Sequence, residues 1–203
     1  MKIICIGRNY VDHAKELDNP VPKKPIFFLK PDTALVKNNE PFYYPEHSSD
    51  VQYEVEIVLK ISKTGKNISE ENAHTYYQEI GIGIDFTARD VQSQCKNKGL
   101  PWEISKAFDQ SAPIGKFIKR NTLDNQESIN FSLTINGEEK QKGNSSDMIF
   151  SFENIIAYIS KFITLVDGDL IFTGTPSGVG PIAINDHFEA YLEGNKLLEF
   201  VVK

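Results

Sequence analysis

The chain has little that would tie it to an oxidising compartment, a membrane or a nucleic acid. Only two cysteines, Cys5 and Cys95, occur in 203 residues. They lack the spacing of a disulfide framework, so a reduced, cytoplasmic setting is the simpler expectation. No apolar run approaches the ~20 residues that a membrane span requires. The opening Ile3-Ile4-Cys5-Ile6, with one lysine before it and polar residues after it, is not organised as a signal peptide. Positive charge is the minority sign: 22 Lys and Arg stand against 28 Asp and Glu, for a net charge of −6. That balance argues against a nucleic-acid groove or an anionic membrane surface as the main partner. There is no internal repeat and no low-complexity tract. The Gly-rich stretch 173–180 lacks the Gly-Lys-Ser/Thr of a phosphate loop and no clear helix follows it, so its amides and threonine hydroxyls suit a carboxylate better.

What is present is a globular composition, 40% hydrophobic and 25% charged. It predicts one domain over 1–203 with a sizeable core, in which 1–47 forms an N-terminal segment. Residues 52–60 organise the rest. Their β-branched and aromatic content predicts a strand, which places Glu54 and Glu56 on one face, roughly 7 Å apart, and Tyr53, Val55 and Ile57 on the other. Two carboxylates this close repel unless a cation or proton sits between them. The pair is therefore either half of a hard-metal site or the solvent face of an amphipathic strand.

Other strands are predicted at 2–6, 26–29, 80–84, 131–135 and 170–172, with a hairpin at Asn136-Gly137 and a closing hairpin over 188–202 around Gly194-Asn195. The glycines of 80–84 imply close backbone packing. A short helix from Asn9 or Tyr10 to Leu17 sets His13 and Glu16 three residues apart on one face, where a carboxylate orients an imidazole. The Pro-containing connector 19–24 would let that helix act as a lid. Ser69 predicts a helix to about Gln78, and Ser151 one through Phe162, with Ile155, Ile156, Ile159 and Phe162 as its core stripe. Thr87 and Asp90 resemble a capping box. Asp85, just before them, is either a third metal ligand or a helix cap. Arg89 and Gln92 share a helix face, and Arg89 suits a substrate carboxylate. Lys106 reads equally as a buried ammonium or a surface lysine. Strands outnumber helices without regular alternation, which predicts an α+β fold with a mixed sheet.

The motifs Ile-Gly-Arg-Asn-Tyr-Val-Asp-His-Ala-Lys-Glu (6–16), Phe-Leu-Lys-Pro (28–31), Tyr-Glu-Val-Glu (53–56), Asp-Phe-Thr-Ala-Arg-Asp-Val-Gln (85–92), Gly-Leu-Pro-Trp (99–102) and Gly-Asp-Leu-Ile-Phe-Thr-Gly-Thr-Pro-Ser-Gly-Val-Gly (168–180) occur in order along nearly the whole chain. Together they resemble the fumarylacetoacetate hydrolase family, and its short acylpyruvate hydrolase/oxaloacetate decarboxylase branch in particular. The resemblance implies a mixed β-sandwich roll, a homodimer, and one Mg²⁺ or Mn²⁺ per chain held by Glu54, Glu56 and Asp85. It implies a water-activating pair His13 and Glu16, a catalytic Lys106, and substrate contacts from Arg8, Arg89, Gln92 and Thr175. Ser105 stands where many members have glycine. The larger members' N-terminal β-domain is missing, which argues against fumarylacetoacetate as substrate.

The implied chemistry is cleavage of the C–C bond of acylpyruvates to pyruvate and a carboxylate, with the ion stabilising an enolate. Oxaloacetate decarboxylation and keto–enol tautomerisation share that enolate and are the alternatives. A non-catalytic oxo-acid binder and a structural domain with an acidic strand stand further off.

Overall fold

The computed structural model describes residues 1–203, and their architecture follows from where the β-branched runs find partners. A six-stranded sheet has the order Ile26–Lys30, Ile3–Gly7, Leu170–Phe172, Val55–Ile61, Tyr77–Ile84, Ile118–Lys119. Only the Ile3–Gly7 and Leu170–Phe172 pair is parallel, so the sheet is mixed. A four-stranded antiparallel sheet (Glu138–Asn144, Asn130–Ile135, His187–Leu192, Asn195–Val201) covers one of its faces. The main core lies between them, with Ile57, Leu59, Ile80 and Ile82 from the first sheet packed with Phe131, Leu133, Phe188 and Phe200 from the second. A smaller cluster of Ile3, Cys5, Val58, Leu170 and Phe172 lines the first sheet's other face. This is the α+β sandwich roll that the sequence implies.

The 52–60 stretch is buried on both faces except at its two ends, Gln52 and Lys60, so it has no solvent-facing polar side. It also changes sheets. Val51–Tyr53 pairs with Gly180–Pro181 and Thr87–Ala88, whereas Val55–Ile61 joins the six-stranded sheet. Glu54 sits at the switch. Close packing at the glycines of the next strand is real: a Cβ on Gly83 would lie 2.6 Å from the Phe172 ring.

Several local expectations shift. The helix after Ser69 is only Glu70–Ala73, followed by a 3-10 turn, because Tyr77 already belongs to the long strand. Thr87 and Asp90 form no capping box. Thr87 is held extended by pairing with Gln52, and Asp90 accepts hydrogen bonds from Ser48 and Ser49. The Ser151 cap is present, but its helix ends at Ile159 and Phe162 is 57% exposed, so the stripe stops one turn early. The last hairpin turns at Glu193-Gly194, one residue before the expected pair. The first helix is Val11–Glu16, entered through Arg8 in a left-handed conformation (φ 61°). No helix is long and apolar enough to cross a membrane.

Candidate active site

Antiparallel pairing of Val55 with Ile84 sets Glu54 opposite Asp85, and the Asp85 amide donates to the Glu54 carbonyl at 2.8 Å. Glu56 follows two residues on. The three carboxylates are at most 5% exposed and can each offer one oxygen within 4.8 Å of the others. Asp85 is thus part of the cluster and not a helix cap.

Three cations surround them. Lys106 Nζ is 2.8 Å from Glu54 Oε2 and 2.9 Å from Asp85 Oδ2. Arg89 Nη2 is 2.7 Å from Glu54 Oε1. Lys30, to which the sequence reading gave no role, is fully buried with Nζ 2.8 Å from Asp85 Oδ1. Its ammonium also meets the carbonyls of Phe86, Lys106 and Ser111 and the Ser111 hydroxyl. Three protons cannot serve five oxygens, and Asp85 Oδ1 is left without a well-aligned hydrogen bond.

The electrostatics divide the carboxylates. Burial opposes ionisation of Glu54, but Lys106, Arg89 and His13 outweigh it and hold its carboxyl well below the usual range. Burial together with Asp85 and Glu54 pushes Glu56 well above that range, against which its single hydrogen-bond donor, the Gly174 amide at 2.7 Å, is too little. Lys106 is desolvated, yet Asp85 and Glu54 keep it charged past its ordinary value. An all-oxygen donor set with an orphaned Asp85 oxygen and a carboxyl lacking countercharge fits a hard divalent cation. Glu54, Glu56 and Asp85 are the residues that would hold it.

Around this centre lies a cleft with about 410 Å³ of empty space. Arg8, His13, Arg89, Gln92, Lys106 and Thr175 all line it with the three carboxylates, as do Lys96, Phe28 and Trp102. His13 is buried, and its Nδ1 lies 3.3 Å from Glu16 Oε2. A carboxylate only accepts, so it holds the proton on Nδ1 and leaves Nε2 as the basic nitrogen. Burial outweighs Glu54 and Glu16 and lowers the His13 pKa, keeping the ring neutral. Glu16 stands behind His13 instead of lining the cleft, and its other oxygen accepts from the Gly178 amide at 3.0 Å. The Gly-rich loop therefore does hold carboxylates, but Glu16 and Glu56 belong to the protein itself.

Arg89 differs from the expectation of a free substrate clamp. Its Nε, Nη1 and Nη2 already donate to Gln52, Gln92 and Glu54. Arg8 is the guanidinium with no acceptor among the chain's hydrogen bonds, and a non-Gly residue at positive φ is the kind of strain that clusters at functional sites. Lys96 rests over the Trp102 ring at the mouth, where burial and the neighbouring Arg8, Arg89 and Lys106 lower its pKa. Ser105 is fully buried and its hydroxyl donates to the Trp102 carbonyl, which closes the short helix that carries Lys106.

Comparison with known proteins agrees with this geometry. A mitochondrial oxaloacetate tautomerase of Mus musculus is 44% identical over 201 residues, covering 99% of this chain and 91% of that protein. A mitochondrial oxaloacetate decarboxylase of Dictyostelium discoideum is 44% identical over 182 residues, 89% of this chain and 84% of that one. The crystal structure of a Pseudomonas aeruginosa fumarylpyruvate hydrolase in complex with Mn²⁺ and pyruvate superposes with a TM-score of 0.94 at 35% identity, covering 100% of this chain and 89% of that one. Residues 2–203 match the family described as fumarylacetoacetate (FAA) hydrolase C-terminal. With the carboxylate triad, the sandwich roll and this match in agreement, the chain belongs to the fumarylacetoacetate hydrolase family.

Proposed function

We propose that this chain is a Mg²⁺- or Mn²⁺-dependent enzyme for small 2-oxo dicarboxylates, interconverting the keto and enol forms of oxaloacetate. The observation that carries the reading is the charge of the site. Ionised Glu54, Glu56 and Asp85 are equalled in number by Lys30, Lys106 and Arg89, whose ion pairs run to Glu54 and Asp85. A divalent ion brings this buried set to plus two, which a dianion such as oxaloacetate cancels and a monoanionic acylpyruvate only halves. The names of the relatives support the same substrate.

When bound, the ion supplies Lewis acidity toward the oxygens of the oxo acid. The chain's own groups then have separate tasks. Neutral His13, held by Glu16, accepts the proton from C3 at Nε2 and delivers it to the C2 oxygen to give the enol, and the reverse transfer restores the keto form. Lys106, kept protonated, stabilises negative charge as it develops on the C2 oxygen. Arg8, unpartnered at the mouth, meets the second carboxylate by paired hydrogen bonds.

A second reading, acylpyruvate hydrolysis, is favoured by one feature: the His13–Glu16 pair is also what activation of a water requires. The test follows enolisation, decarboxylation and acylpyruvate cleavage separately in parallel Mg²⁺ and Mn²⁺ assays. Fastest turnover of oxaloacetate tautomers is expected, and cleavage of acylpyruvate outrunning it would reverse the order of the two readings. Calorimetric titration of Mn²⁺ into Asp85→Ala should show most affinity lost; wild-type affinity would remove Asp85 from the ligand set.

A further inference from the structure

The strand Glu138–Asn144 is polar throughout, Glu-Glu-Lys-Gln-Lys-Gly-Asn, yet one of its side chains, Gln141, is only 2% exposed. The cause is local. Leu133 pairs with Gln141 and Thr134 with Glu139, so Lys140 is an extra residue in the ladder. Such a bulge bends the strand and re-aims the neighbouring side chain. The Gln141 carboxamide thereby reaches the point where the 51–61 segment changes sheets. Beyond Phe172, the neighbouring strand turns away at Gly174 (φ 102°), and the Val55 amide, between Glu54 and Glu56, donates to Gln141 Oε1 at 2.9 Å. On its other side, Gln141 Nε2 donates to Thr175 Oγ1 and to the Pro176 carbonyl, both at 2.9 Å. Gly178 packs its Cα against the same strand, where a Cβ would lie 2.7 Å from the Lys140 carbonyl.

Both amide protons are thus committed, and this fixes the polarity of Thr175. Its oxygen already accepts from Gln141, and no acceptor for its own proton occurs among the chain's hydrogen bonds. Thr175 is 2% exposed and lines the cleft, so its O–H is left to donate into it.

We propose that Gln141 is a positioning residue. It fixes the Thr175 hydroxyl as a donor toward an oxygen of the bound oxo acid, and ties that donor to the strand bearing Glu54 and Glu56. The inference rests on the oxo-acid reading above. In Gln141→Glu the acceptor for Val55 survives, but the donor becomes a second acceptor that draws the Thr175 proton away from the cleft.

The probe is pyruvate, titrated calorimetrically into Mn²⁺-loaded protein. Gln141→Glu and Thr175→Val should each weaken pyruvate by about tenfold, the worth of one hydrogen bond to a charged acceptor. The double variant should be no weaker than either single one, and Thr175→Ser should bind like wild type while keeping its sensitivity to Gln141→Glu. In oxaloacetate turnover the loss should fall on KM more than on kcat. If Gln141→Glu fails to fold, Gln141→Met enters the same cycle. Full additivity of the two substitutions, or unchanged pyruvate affinity in a folded Gln141 variant, overturns the inference and leaves the oxo-acid reading standing. No pyruvate binding by Mn²⁺-loaded wild type overturns both.

Discussion

Along residues 51–61, Ile57, Leu59 and Ile61 are fully buried among apolar side chains, while Glu54 and Glu56, a few positions earlier, are buried almost as completely among charges. Equal burial therefore carries different physics at the two ends of one strand. At the apolar end each side chain contributes nearly independently, through area removed from water and cavity avoided. At the charged end no member stands alone, since named cations face Glu54 and Asp85, Glu56 has only the Gly174 amide, and deleting one partner of an ion pair leaves the other uncompensated.

The largest effect expected from this contrast is at Lys30. Lys30→Met strips Asp85 of its nearest cation and three carbonyls of a donor, and should cost about 3–5 kcal/mol of stability. Saturating Mn²⁺ should recover part of that loss, because the ion supplies the missing charge. Ile57→Ala should cost about 2–5 kcal/mol from its cavity, and the loss should be the same with and without Mn²⁺. Denaturant unfolding of both variants in the two conditions makes the comparison; an identical Mn²⁺ response would erase the distinction.

A smaller and opposite effect is expected at Glu56. Glu56→Gln keeps an acceptor for the Gly174 amide but removes repulsion with Asp85 and Glu54, so the metal-free protein should gain about 1 kcal/mol. The same variant should lose most of its Mn²⁺ affinity. A destabilised metal-free variant would show that Glu56 is held by more than the Gly174 amide.

The smallest effect concerns pH. Glu16 raises the His13 pKa against the stronger lowering by burial. Glu16→Gln removes that support, so the acid limb of kcat/KM should move to lower pH, with a rate loss well short of the ~10²–10⁴-fold expected for His13→Ala. A limb that stays in place would detach Glu16 from the ring and leave it with Gly178 alone.

Much of the site was legible because its residues obey period-two and i,i+3 spacing: Glu54 with Glu56, His13 with Glu16, Arg89 with Gln92. Lys106 could be named only through the family motif, since nothing local separates a buried ammonium from a surface one. Lys30 and Gln141 were missed for different reasons. Lys30 stands between an apolar run and Pro31, where a lysine reads as the polar end of a strand. Its burial depends on Phe86, Ser111 and Asp85, all more than fifty residues away. Gln141 lies in a strand with no apolar residue, and its inward turn comes from a bulge set by pairing with another strand. The fold class was readable from strand content, whereas the helix after Ser69 and the core stripe at Phe162 were overridden by tertiary pairing.

The matched fixed charges of the cleft also bear on how the protein matures. A triad of uncompensated carboxylates would have to wait for its ion before the sheet could close. With Lys30, Lys106 and Arg89 facing Glu54 and Asp85, only Glu56 lacks a countercharge in the metal-free chain, so closure of the sheet should not depend on the ion.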